Sequence, residues 1–129
     1  DFQQLLVIRR LTRDLNIPVQ IVAAPIVREK DGLALSSRNN YLSPSERVIA
    51  PILYGTISQI AEQVSRGAPL NDQANWGHDQ LLQAGFSFVD YLSIRDTETF
   101  SEVKDISRPA RVLVAALLGK TRLIDNVMI

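Results

Sequence analysis

The feature that most limits the fold is an unbroken apolar run, Val112-Leu113-Val114-Ala115-Ala116-Leu117-Leu118, preceded by Arg111 and closed by Gly119-Lys120. A bilayer span needs about 20 such residues, so this run reads as a buried strand. The Gly-Lys turn lets Arg122-Leu123-Ile124-Asp125-Asn126 return antiparallel. Phe88 to Ile94, with aromatic and branched residues in partial alternation, is a further strand. Two helical patterns come before these strands. Ser43-Pro44-Ser45-Glu46 is a helix start, with Ser43 as N-cap, Pro44 in the first position and Glu46 closing a capping box. Ile49, Ile52, Leu53, Ile57, Ile60 and Val64 continue that helix, and Gly67 offers its C-terminal cap. A second helix is expected from Asn71 to Ala84, ended by Gly85 and weakened by Asn75 and Gly77. The second half therefore reads as two helices on a small, mainly antiparallel sheet.

The first quarter has a different rhythm. Phe2, Leu5, Leu6, Ile8, Leu11 and Leu15 lie near helical spacing, with Arg9, Arg10, Arg13 and Asp14 toward the other face. Asn16 and Pro18 stop that helix. Val19-Gln20-Ile21-Val22-Ala23-Ala24, bounded by Pro25, reads as a buried strand. A helix followed by a short apolar strand belongs to a parallel α/β sheet, here expected to complete one begun upstream. Residues 28–43 are polar and lack periodicity, a long loop of the kind that carries function.

Composition narrows the chemistry. Lys plus Arg number 14 and Asp plus Glu number 14, a balance that argues against a nucleic-acid or membrane-surface binder. With no cysteine, disulfides, a thiolate nucleophile and Cys-ligated zinc are excluded, as suits a cytoplasmic protein. His78 is the only histidine and has no partner cluster, so no metal site is expected. Within the loop, Ser36 and Ser37 offer hydroxyls and backbone N–H donors, Arg38 offers a planar cationic fork, and Gly32 permits a tight turn. These groups can hold a triphosphate and stabilise the charge that builds as pyrophosphate departs. The same residue types also occur in ordinary surface loops.

Pro25-Ile26-Val27-Arg28, Asp31-Gly32-Leu33-Ala34-Leu35-Ser36-Ser37-Arg38-Asn39 and Tyr41-Leu42 together resemble the signature of the pantothenate synthetase family. Asp1-Phe2-Gln3-Gln4 is similar to that family's Lys-Asp-Tyr/Phe-Gln-Gln segment, and Thr121-Arg122-Leu123-Ile124-Asp125-Asn126 to its C-terminal Arg-Leu-Ile-Asp-Asn. The three matches follow the family's order and span nearly the whole chain. The resemblance implies a ligase in which pantoate attacks ATP to form pantoyl adenylate, which β-alanine then attacks with release of AMP. ATP is a substrate, and Mg²⁺ is bound through its phosphates. Carried over residue by residue, Ser36, Ser37 and Arg38 contact the phosphates, and Arg38 also assists at the reacting carboxylate. Backbone groups of Val27 and Leu35 hold the adenine edge, Asp1 binds ribose hydroxyls, and Gln4 binds pantoate. Leu35 stands where the family usually has Met.

The implied architecture is α/β, the last part of a Rossmann-like nucleotidylyltransferase domain over residues 1–42. A small α+β lid domain follows over residues 43–129, and the full-length enzyme is expected to be a homodimer. The family's HIGH-like histidines, upstream glutamine and the Lys before Asp1 have no counterpart here. The chain alone is therefore expected to be inactive. Blander readings stand beside these: Asp1 as a helix N-cap, Gln4 as a solvent-facing amide, and Arg122 with Asp125 as a structural pair or as contacts to the lid. Another HIGH-superfamily nucleotidylyltransferase and a non-catalytic interaction domain are the alternatives in function. The first would need a basic KMSKS-type lysine where this chain has Arg38.

Overall fold

A computed structural model describes residues 1–129. Helix α1 spans Phe2–Asp14, and residues 17–27 that follow it take no regular form. The strand expected at residues 19–24 is therefore not formed. An extended segment becomes a strand only when a neighbour takes up its N–H and C=O groups, and no strand of this chain pairs with this one. Val19 and Val22 are exposed as a result.

Residues 28–43 hold more structure than the sequence suggested. Arg28 pairs antiparallel with Ala34. The Glu29 N–H donates to the Leu33 carbonyl (2.8 Å) and the Leu35 N–H to the Val27 carbonyl (2.9 Å), closing a small hairpin. Gly32 turns it at φ +92°, and a Cβ there would lie 2.5 Å from the Tyr54 ring, so only glycine fits. A 3₁₀ turn, Ser37–Tyr41, follows with Ser36 as its cap.

The expected helix from Ser43 is broken in two, α2 over Pro44–Ile49 and α3 over Ile52–Ser65. Pro51 causes the break, since it has no N–H to donate and its ring crowds the carbonyl one turn back. The capping box at Ser43 and Glu46 forms in full. Helix α4 covers Leu70–Ala84 and ends at Gly85 in a left-handed conformation. Gly77, which weakens the helical pattern, is needed for packing: a Cβ would approach Ile60 Cδ1 to 2.5 Å and Leu92 Cδ1 to 3.0 Å.

Strands β1 (Phe88–Asp96), β2 (Ala110–Leu118) and β3 (Thr121–Met128) form an antiparallel sheet in that order. The register of β1 slips at Asp90. Val112, Val114, Ala116 and Leu118 face the helices and join Leu53, Ile57, Ile60 and Leu81 in the core. The central position of β2 explains its unbroken apolar run: both edges are paired and both faces largely covered. Asp125 pairs with Val114 and so points to the helix side, where a charged group needs a partner. Leu33, at the hairpin turn, is 3% exposed and belongs to the same core, which seats the loop on the α+β unit.

Candidate functional site

A cavity of about 190 Å³ opens between the N-terminus of α1, the hairpin with its 3₁₀ turn, and strand β3. Asp1, Leu35, Ser36 and Arg38 line it, four of the residues singled out in the sequence. Asn39, Arg122 and Asn126 line it too. Gln4 is exposed and does not reach it; neither Val27 nor Ser37 is part of its wall.

Each group arrives there for a local reason. One carboxylate oxygen of Asp1 accepts the Gln4 N–H (3.1 Å) as the N-cap of α1, which leaves its other oxygen without a partner. Capping and cavity lining are thus compatible. The Ser36 hydroxyl accepts the Arg38 N–H (3.2 Å), which begins the 3₁₀ turn. Asn39 donates its side-chain amide to the Ala34 carbonyl (3.0 Å) and so ties that turn to the hairpin. The single bond between Leu35 N–H and the Val27 carbonyl leaves the Val27 N–H and the Leu35 carbonyl unpaired at the hairpin's open end.

The charges around the cavity fall into two groups. The Arg38 side chain makes no hydrogen bond or ion pair, so its guanidinium is free while its backbone N–H is held by Ser36. The arginines around it are engaged. Arg28 holds Asp125, Arg47 holds Asp31, Arg122 holds Asp90, and Arg111 donates to Asn126 and lies 4.6 Å from the centre of the Phe2 ring. The hydrogen bond from Arg47 keeps the Asp31 carboxyl below its usual range, and the one to Asp90 raises Arg122. Burial pushes Arg111 down, and its Nε finds no acceptor. Arg122 and Asp125 do not pair with each other as expected. Three residues apart on a strand, they point to opposite faces. His78 is exposed on α4 beside Asp79, and no group of three or more His, Asp or Glu side chains gathers anywhere on the chain.

Arg28, Asn39 and Tyr54 shape the site without a role that the sequence pattern assigns to them. Arg28 had a signal, as a member of the recognised motif, but its partner lies 97 residues away. Chemically, the cavity offers one free guanidinium, a serine hydroxyl and an unpaired carboxylate oxygen, and the Val27–Leu35 backbone pair lies at its edge through Leu35 alone. That set suits an anion attached to a hydroxylated, planar group.

Comparison with known proteins gives consistent matches over the full chain. The profile of the family described as pantoate-beta-alanine ligase matches residues 1–128. The pantothenate synthetase of Rhodospirillum rubrum is 50% identical over 128 residues, covering 98% of this chain and 45% of that protein. The crystal structure of pantothenate synthetase from Thermus thermophilus superposes with a TM-score of 0.91 at 44% identity, over 98% of this chain and 46% of that one. A pantoate-beta-alanine ligase from Francisella tularensis, complexed with beta-gamma ATP and beta-alanine, gives a TM-score of 0.65 at 27% identity over 99% of this chain and 40% of its own. The chain thus spans less than half the length of these relatives. No helix is long and apolar enough to cross a membrane.

Proposed function

The chain belongs to the pantoate–β-alanine ligase family, and from that premise we propose that it supplies one wall of the site in which ATP joins pantoate to β-alanine. The observation that carries this reading is the free guanidinium of Arg38 beside Ser36 in the cavity, in a neighbourhood where the other arginines are engaged. Phosphate oxygens are the acceptors a planar fork suits best. The unpaired Val27 N–H and Leu35 carbonyl match the acceptor and donor along an adenine edge. The free oxygen of Asp1 suits a ribose hydroxyl. Gln4 is assigned to pantoate, which requires its side chain to turn from solvent toward the substrate.

In the first step a carboxylate oxygen of pantoate forms a bond to the α-phosphorus, and the bond to pyrophosphate breaks. In the second the β-alanine amine bonds to the activated carbonyl carbon, loses a proton, and AMP leaves with the electron pair of the broken acyl–phosphate bond. Neither step uses an enzyme nucleophile. Arg38, with Ser36 and Ser37, stabilises charge as it moves onto the departing pyrophosphate. A Mg²⁺ ion brought in on the nucleotide would offset phosphate charge, and no residue of this chain would need to ligate it. The groups of this chain that face the phosphates are hydroxyls and a cation, which fit oxygen anions better than a metal ion.

Small-molecule sites commonly enclose roughly 300–1,000 Å³, and the cavity here is about 190 Å³. The remaining walls belong, on this reading, to the part of the family's length that these 129 residues do not cover. Residues 1–42 then close the Rossmann-like catalytic domain and residues 43–129 form the lid. The loop is the seam, continuous with the first and seated on the second. A cytoplasmic, homodimeric complete enzyme goes with the reading.

The test is pyrophosphate release from ATP. The complete protein should release it only when pantoate is present, and form pantothenate only when β-alanine is added. The isolated 129-residue chain should release none. Inactivity of the complete protein would overturn the assignment, and pantoate-dependent release by the isolated chain would overturn the division of the site.

A further inference from the structure

We propose that Arg28 and Asp125 are a positioning pair that sets the width of the nucleotide cavity, a role resting on the reading of the Ser36–Arg38 loop as a phosphate site. Leu33 and the Arg47–Asp31 pair seat the hairpin, but the groups that would meet a phosphate carry little that fixes their own place. The Arg38 side chain touches no acceptor, and the Ser36 hydroxyl bonds only within the turn. Its position must be imposed from elsewhere.

Arg28 supplies the connection. One terminal nitrogen of its guanidinium donates to Asp125 Oδ2 (2.6 Å) and to the Gly32 carbonyl (2.9 Å), and the other donates to Asp125 Oδ1 (2.9 Å). The same group lies 3.7 Å above the Tyr54 ring of α3. Asp125 also accepts the Asn126 N–H at 2.7 Å. The Asp125 side chain is 2% exposed and that of Arg28 18%. A parallel two-bond fork of this kind fixes orientation as well as distance.

From there a continuous path reaches the cavity. Arg28 pairs across the hairpin with Ala34. The Ala34 carbonyl holds the Asn39 amide, and Asn39 lies in the 3₁₀ turn directly after Arg38. At the other end of the path, Asp125 itself lines the cavity on β3, together with Arg122 and Asn126. Arg28 and Asp125 therefore tie the phosphate-binding wall to the facing wall. A lysine at position 28 would keep the charge but lose the fork and the stacked plane. Arg28 itself need not touch a substrate; it acts through the loop.

Two variants of the complete protein test this. Arg28→Gln with Asp125→Asn removes both charges together, so neither is left buried and alone. Arg28→Lys keeps the charge. We expect the KM for ATP to rise roughly 10- to 100-fold in both, with a fall in kcat, since small displacements of a binding group have effects of that size. The KM for pantoate should stay unchanged, and the double variant's melting temperature should stay close to that of the unmodified protein. Unchanged ATP kinetics in Arg28→Lys, or equal changes in both KM values, would overturn the proposal and leave the pair purely structural. If the double variant does not fold, Arg28→Lys decides alone. Inactivity of the unmodified protein would instead remove the nucleotide reading on which this rests.

Discussion

Residues 1–27 and residues 28–129 are both rich in apolar side chains with helical or strand-like spacing, yet they fare differently. Helix α1 has no buried residue, and Val7, Leu11, Leu15, Val19 and Val22 are all more than half exposed. Every buried residue of the chain lies between Leu33 and Asn126. Spacing of apolar residues shows which face of a segment is to be covered. It does not supply the cover. The second region covers itself, because α3 and α4 lie on one face of its own sheet and the hairpin adds Leu33. The first region presents an apolar face of which only Phe2, against Arg111, meets the rest of the chain closely.

The sharpest way to break this contrast is at its fastening point. Arg28→Met should leave the buried Asp125 without a cation, holding only the Asn126 N–H, and destabilise the chain by about 3–5 kcal/mol in urea unfolding. A loss near zero would mean that the hairpin is not seated on the second region. Next, Ile57→Ala in the core should cost about 2–5 kcal/mol, whereas Leu11→Ala on the exposed face of α1 should stay within about 0.5 kcal/mol. Similar losses at the two sites would erase the distinction. Ser43→Ala removes the N-cap of α2 and should cost about 1 kcal/mol.

Acid gives a smaller effect, read as a change of slope. The Asp96 carboxyl accepts the Thr99 and Glu98 N–H groups and lies beside Arg108, which together hold its pKa below the ordinary value. A depressed pKa means that the unfolded chain takes up the proton first. This contribution is complete above about pH 5 and is lost as the pH falls through the unfolded value near 3.9 toward the folded one. Asp96→Asn should therefore flatten stability against pH in that acid window and change nothing in its slope near neutrality.

What the sequence made legible was local. The capping box at Ser43, the stops at Gly67 and Gly85 and the turn at Gly119-Lys120 each depend on a few adjacent residues, and each formed. Pro51 breaks the helix by a local rule that the apolar spacing around it masks, and the turn legible at Gly32 becomes a hairpin only through the bonds between residues 27–29 and 33–35. The strand expected at residues 19–24 depends on a neighbour that no local pattern reveals. The same limit hid the partners of Arg28 and Arg122, which are joined across the fold. At the site, Ser36 and Arg38 came from the motif and reach the cavity; Gln4 came from the motif and faces solvent.

The central claim is that the loop ending in Arg38 handles the nucleotide's phosphates. Its most direct test is pantoate-dependent pyrophosphate release by the complete protein carrying Arg38→Ala. The side chain is exposed and unbonded, so the fold should keep its stability while the rate falls by about 10²- to 10³-fold, as when a charge-stabilising donor is removed. A variant that folds and keeps its full rate would contradict the claim.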